Sequence, residues 1–151
     1  ILRDYDKTPF ARNGILLLRV IANFADRLIQ AFQVKTPSRD TAAKSLSGGN
    51  IQKVVLAREL AREPRVLIAA QPTRGVDIGA TEYVHAQLLE QRQQGLAILL
   101  ISEDLDEIMA LSDRIAVIFE GKIMGVVDGE VASPEQLGLL MAGVQEEAEP
   151  H

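Results

Sequence analysis

The chain has no cysteine among its 151 residues. Without a thiol it can build no disulfide framework, no thiolate metal site and no cysteine nucleophile, and such usage fits a reducing compartment. Histidine is almost as scarce, at two residues, which argues against a zinc site made of imidazoles. Aromatic residues make up 4% of the chain, too few for a platform on which nucleic-acid bases could stack. No apolar run approaches the roughly 18 residues that a membrane-spanning helix requires. Basic charge is short as well: 16 Lys and Arg against 21 Asp and Glu give a net charge of −5. Neutralising phosphates along DNA or RNA is therefore not the chain's main task, and no nucleic-acid partner is expected.

What remains is the balance of a folded domain, 47% hydrophobic and 25% charged, enough to build a real core. The first residue is Ile1 and the tail, residues 146–151, is acidic without apolar periodicity. The chain therefore reads as a fragment of a longer parent.

Hydrophobic spacing divides the chain into elements. Residues 1–13 show no period and read as an irregular lead-in, whereas Leu17, Val20, Ile21, Phe24, Leu28 and Phe32 follow three-and-four spacing and predict an amphipathic helix from Ile15 to Phe32. Turn-forming residues between Thr36 and Lys44 mark a surface loop. A second helix is expected from about Asn50 to Arg62, stopped by Glu63-Pro64. Val66–Ala70 and Ala97–Ile101 are short continuous apolar runs separated by a helical stretch, Ile78 to Gln94, that ends at Gly95. Such runs predict parallel strands covered on both faces and joined by a crossover helix. Asp104 and Glu107 are spaced as a capping box for a helix to Leu111. Ile115–Phe119 and Lys122–Val127 flank Glu120-Gly121 as a hairpin, and Ser133-Pro134-Glu135-Gln136 opens a last short helix through Met141.

The chemically loaded segment is Leu46-Ser47-Gly48-Gly49-Asn50-Ile51-Gln52-Lys53, between a loop and a helix. Two glycines permit close backbone approach, Ser47 supplies a hydroxyl, and the helix start points free N–H groups at whatever binds there. This is the make-up of a phosphate site, though a plain serine cap followed by a glycine turn would look the same. One helix later comes Val66-Leu67-Ile68-Ala69-Ala70-Gln71-Pro72-Thr73-Arg74-Gly75-Val76-Asp77.

At this point the chain resembles the ABC-type ATPase family. LSGGNIQK is similar to that family's signature motif, Pro72-Thr73 to the residues after its Walker B acids, Gly75-Val76-Asp77 to its D-loop, and Leu99-Leu100-Ile101-Ser102 to the strand before its switch histidine. The resemblance spans about residues 15–127. The asparagine and lysine of LSGGNIQK and the Pro-Thr-Arg-Gly run resemble the second cassette of bacterial importers for simple sugars of the ribose and galactose type. The Ala-Ala-Gln-Pro-Thr variant is more like their nucleoside-importing relatives.

The resemblance implies an α/β fold, part of a P-loop NTPase, with a mainly parallel sheet, flanking helices and a helical subdomain on the N-terminal side. It implies a helical subdomain with the signature motif over residues 1–64, the C-terminal part of the core over 65–145, and an acidic tail over 146–151. It implies ATP with Mg²⁺ as cofactor, shared with a partner cassette in the same polypeptide. Ser47, Gly48, Gly49 and Asn50 would contact the nucleotide and Asp77 would couple the two sites. Transmembrane permease subunits and, indirectly, a solute-binding protein follow as partners, at the cytoplasmic face of the membrane.

The departures matter as much. Where the family carries a metal-holding aspartate and a water-activating glutamate, this chain has Ala70 and Gln71, and where it carries the switch histidine, this chain has Glu103. Alanine offers no ligand oxygen, and glutamine accepts no proton at neutral pH. The chain also contains no GxxxxGK[ST] phosphate loop. The chain's own catalytic positions are thus degenerate, no metal ligand set is expected, and hydrolysis belongs to the parent. Two other readings share these features: an ATPase head of the chromosome-maintenance and DNA-repair type, disfavoured by acidic charge and missing heptads, and a regulatory domain that kept the fold and lost nucleotide chemistry.

Overall fold

A computed structural model describes residues 4–144 of the chain. The strands are β1 (Ala11–Arg12), β2 (Ile15–Leu16), β3 (Val66–Ala70), β4 (Ala97–Ile101), β5 (Arg114–Phe119) and β6 (Lys122–Asp128). The helices are α1 (Leu18–Ala31), α2 (Gly48–Leu60), α3 (Ile78–Gln93), α4 (Leu105–Leu111) and α5 (Pro134–Met141). The chain divides into two units. One comprises the residues up to Leu67 with Pro72–Ile98, and the other Ile68–Gln71 with the residues from Leu99 onward. The acidic tail, residues 146–151, lies outside the described residues.

In the first unit the lead-in forms turns over residues 4–10, as expected, but it ends in a short strand. Asn13 and Gly14 both take positive φ, 52° and 77°, and turn the chain so that Ala11 pairs with Leu16 and Arg12 with Ile15 in an antiparallel hairpin. Two consecutive residues of positive φ make the turn that matches strand twist, which is why Asn-Gly favours it. Ile15 and Leu16 are therefore strand, and α1 starts at Leu18 rather than Ile15. The Phe10 ring meets Phe24 of α1 edge-on at 4.9 Å between centroids, and Arg27 lies over the Phe24 ring. None of the α1 side chains is fully buried.

Helix α2 starts two residues earlier than its apolar spacing predicts. Ser47 is its N-cap, its side chain accepting from the Asn50 N–H. The helix ends at Leu60, and Glu63, at φ 48°, turns the chain into Pro64. The following helix, α3, is capped by Asp77, whose Oδ1 accepts from the Ala80 N–H at 2.9 Å. Gly95, at φ 91°, closes it as the sequence predicts.

Strands β3 and β4 pair with each other. Ala97 N–H bonds the Arg65 carbonyl at the start of both strands, and Gln71 N–H bonds the Ile101 carbonyl just beyond their ends. The strands therefore run in the same direction, with α3 as the crossover. One expectation fails: the strands are not covered on both faces. Val66, Ile68, Leu99 and Ile101 are 62%, 65%, 53% and 48% exposed. Side chains alternate along a strand, so these residues share one face and Leu67 turns to the other.

The second unit has its own core. Ile115 and Val117 of β5 pack with Leu137 and Leu140 of α5, and Leu105, Ile108, Met109, Met124, Val127 and Ala132 surround them. β5 and β6 form an antiparallel pair from Arg114 opposite Asp128 to Phe119 opposite Lys122, with an irregularity after Val117. Glu120 and Gly121 turn the hairpin with positive φ at both, as their identity predicts. Ser133 caps α5, its hydroxyl oxygen accepting from the Gln136 N–H at 3.1 Å. The capping box expected at α4 forms only in half. Asp104 Oδ1 accepts from the N–H groups of Asp106 and Glu107, but the Asp104 N–H is taken by Ser102 Oγ, and Glu107 is drawn into the interior at 3% exposure.

Two glycines of this unit make a paired stability test. A Cβ on Gly129 would lie 2.0 Å from the Ser112 carbonyl oxygen, which is backbone and cannot step aside, whereas one on Gly138, inside α5, meets nothing within 4 Å. Gly129→Ala is expected to destabilise by about 2 kcal/mol or more through forced backbone movement. Gly138→Ala is expected to stabilise by roughly 0.5–1 kcal/mol through helix propensity. Thermal unfolding followed by circular dichroism measures both, and equal melting temperatures would contradict the packing described.

Candidate functional site

Ser47 and Gly48 sit exposed at the start of α2, a helix of 13 residues with no acidic residue in its first turn. Gly48 and Gly49 belong to the opening N–H groups that have no carbonyl partner within a helix, and the dipole there favours an anion. The two glycines differ in kind. Gly49 is buried, and a Cβ added to it would come within 2.6 Å of the Ala80 Cβ and 3.4 Å of the Asp77 Oδ2. It is glycine because α2 packs on α3 there. Gly48 stands clear, 3.4 Å from the Gly75 carbonyl oxygen at its nearest.

The Asp77 cap is placed beside this turn by the segment before it. Gly75 takes φ 73°, the left-handed conformation that favours glycine, and Val76 N–H returns to the Thr73 carbonyl. The structure therefore brings together four of the residues singled out from the sequence: Ser47, Gly48, Gly49 and Asp77.

Asn50 is held by its neighbours. Its Nδ2 donates to Ser47 Oγ at 2.9 Å, and its Oδ1 accepts from the Lys35 N–H at 2.7 Å. Lys53, one turn on, donates to the Gln33 carbonyl at 3.2 Å and lies 4.1 Å from the centroid of the Tyr83 ring. That stacked cation joins α2 to α3 and draws on the ring's negative face. Burial, and to a smaller degree the Glu90 charge, raise the Tyr83 phenol above its ordinary value, so the ring stays neutral below that value. Composition and motif spacing gave no sign of Lys53 and Tyr83 as partners, because their contact joins two helices.

Ala70, Gln71 and Glu103 belong to the second unit. Ala70 ends β3, exposed, and Gln71 follows it half-buried at φ 49°, a conformation in which non-glycine residues are uncommon. Its backbone is held by the bond to Ile101. Glu103 is exposed, two residues beyond β4. Among the described residues no group of three or more histidine or carboxylate side chains is placed to hold a metal ion. The groups around Ser47 are hydrogen-bond donors, suited to an anion rather than to a cation.

No protein-family model matches the chain. Relatives among curated proteins are nonetheless close. The guanosine import ATP-binding protein NupO of Bacillus subtilis is 51% identical over 149 residues, covering 98% of this chain and 29% of that protein. The nucleoside import ATP-binding protein NupA of Lactococcus lactis is 46% identical, covering 94% and 28%, and the ribose import ATP-binding protein RbsA of Bacillus subtilis 41%, covering 90% and 28%. The chain spans less than a third of the length of these relatives. Among solved structures, the dimeric bacterial ABC transporter cassette MJ0796 superposes with a TM-score of 0.63 at 20% identity, covering 78% of this chain and 50% of that one. The cassette MJ1267 superposes with a TM-score of 0.66 at 24% identity, covering 87% and 50%. In sequence this chain is a homologue of the ATP-binding proteins of sugar and nucleoside importers, and in structure it carries the fold of ABC ATPase cassettes.

Proposed function

We propose that this chain supplies the signature turn that completes the ATP site of a partner cassette in an ABC importer, while its own catalytic positions are silent. The observation that carries this reading is the exposed Ser47-Gly48 start of α2 fixed beside the Asp77 cap; the family resemblance adds that Ala70, Gln71 and Glu103 replace catalytic groups. ATP held by the partner cassette would present a terminal phosphoryl group whose equatorial oxygens carry negative charge. Ser47 Oγ–H and the Gly48 and Gly49 N–H groups donate toward it. These donors are preorganised: Ser47 is held by Asn50 and the glycine turn by Ala80. Asp77 gives the site its link across the cassette interface.

Uptake of a nucleoside is favoured over uptake of a simple sugar. Relatives named for guanosine and nucleoside import are 51% and 46% identical, against 43% and 41% for those named for glucose and ribose. Two partners follow from this reading: a first cassette in the same polypeptide, and permease subunits in the membrane. The amphipathic α1, with no fully buried side chain and with Ile15, Leu16, Leu17 and Leu18 exposed before and at its start, is the surface offered to the permease. The protein would work peripherally at the cytoplasmic face. No described helix is long and apolar enough to cross a membrane.

Two experiments test the division of labour. Titration calorimetry of the chain with MgATP is expected to show no binding in the micromolar range and no hydrolysis, since its sequence has no GxxxxGK[ST] loop and carries Ala70 and Gln71 where the resemblance implies acids. Micromolar binding would overturn the reading. In the assembled importer, Gly48→Asp places a charge in the approach of the phosphate without a packing clash and should lower ATPase turnover by about 10² or more. Gln71→Leu should change turnover by less than about threefold, since no proton transfer is assigned to it. The opposite pattern would reverse the roles of the two motifs.

A further inference from the structure

We propose that Asn50 is a positioning residue that fixes the Ser47 hydroxyl as a hydrogen-bond donor and ties its direction to the backbone that follows α1. The inference rests on the reading that Ser47 contacts a phosphate, and deepens it. The backbone N–H of Lys35 can only donate, so the Asn50 side-chain oxygen must face it, as the 2.7 Å contact shows. The amide is planar, and its NH₂ is then the group turned to Ser47, 2.9 Å from Oγ. The Asn50 backbone N–H approaches the same oxygen at 3.4 Å. Ser47 Oγ thus accepts from Asn50 twice. Its lone pairs are occupied, and its proton is left to donate outward at the exposed start of α2.

That polarity matters because a free hydroxyl rotates and serves a donor as readily as an acceptor. Turned toward a phosphate with lone pairs foremost, Ser47 would repel it. Held by Asn50, it offers the proton. The relay continues past Lys35. Gln33, at φ 51°, and the buried Val34 lie directly after α1, and Lys53 bonds the Gln33 carbonyl. The first turns of α2 are therefore fastened at two points to residues 33–35. Any displacement of α1 that shifts Lys35 reaches the Ser47 proton through one side-chain amide.

A purely structural Asn50, bracing the loop to α2, would cost the same whether or not Ser47 carries a hydroxyl. A double-mutant cycle separates the two cases. ATPase kcat and KM for ATP are measured on the assembled importer for Ser47→Ala, Asn50→Ala and the double variant, with melting temperatures for each. Ser47→Ala is expected to lower kcat about 10²-fold, and Asn50→Ala about tenfold, with the loss in kcat rather than in KM. The double variant is expected to match Ser47→Ala within about twofold. Losses that multiply overturn the inference and leave Asn50 as a brace. Asn50→Gln keeps the amide donor and is expected to retain activity within about threefold of the parent. Asn50→Asp keeps the acceptor for Lys35 but draws the Ser47 proton inward, and is expected to be the most damaging single change at this position. Equal activity of these two variants overturns the inference even where Asn50→Ala folds poorly. A silent Ser47→Ala overturns the phosphate reading itself, irrespective of what Asn50 does.

Discussion

The packing of Gly49 of α2 against Ala80 of α3 is the constraint on which the candidate site depends. A methyl group at Gly49 would lie 2.6 Å from the Ala80 Cβ, well inside van der Waals contact, so any side chain there pushes the helices apart. With hydrogen at that position, the first turn of α2 rests on the first turn of α3. The two N-caps, Ser47 and Asp77, are then neighbours because each opens one of these helices. Everything chemical in this unit is a consequence: the exposed donors at Ser47 and Gly48, the carboxylate beside them, and the Lys53 cation over Tyr83 further along the same helix pair.

The two glycines of the signature turn therefore carry different burdens. Read as a string, Ser47-Gly48-Gly49 offers two equivalent flexible residues near an anion. In three dimensions Gly49 is occupied by packing and only Gly48 is open. A substitution at Gly49 reports on helix docking before it reports on phosphate, so the distinction decides which variant can probe chemistry.

Much of this was legible in the residues. Caps at Ser47, Asp104 and Ser133, the glycine stop at Gly95 and the Glu120-Gly121 turn are local signals, set by side chains within four residues, and local signals read well from a string; the Asp77 cap is as local but was overlooked. The family resemblance and the order of elements were legible for the same reason. What was missed depended on choices between local rules or on distant partners. The Asn13-Gly14 turn is as strong a hairpin signal as Glu120-Gly121, but the strands it joins are two residues each, too short for alternation to show, and helical spacing absorbed Ile15 and Leu16. The exposed face of β3 and β4 could not be read because continuous apolar runs say what a strand can bury, not what lies against it. The links of Asn50 to Lys35 and of Lys53 to Gln33 cross 15 and 20 residues, and no periodicity reaches that far.

The chemistry retained and the chemistry lost in this chain follow one division. Donors that recognise a phosphate are backbone N–H groups and a serine hydroxyl, and they are set by helix geometry and one asparagine amide. Acceptors that hold a metal or take a proton are carboxylates or imidazoles, and against the pattern the resemblance implies Ala70 has no side-chain oxygen, Gln71 has no basicity, and Glu103 puts a negative charge where an imidazole is expected. Losing the second set leaves the first untouched, because Ser47 is held from Asn50 and Lys35 and not from the end of β3. A fold that places recognition on a helix start and catalysis on a strand end can shed one and keep the other. Under the proposed function, that separation would let the chain serve a partner's site without catalytic groups of its own.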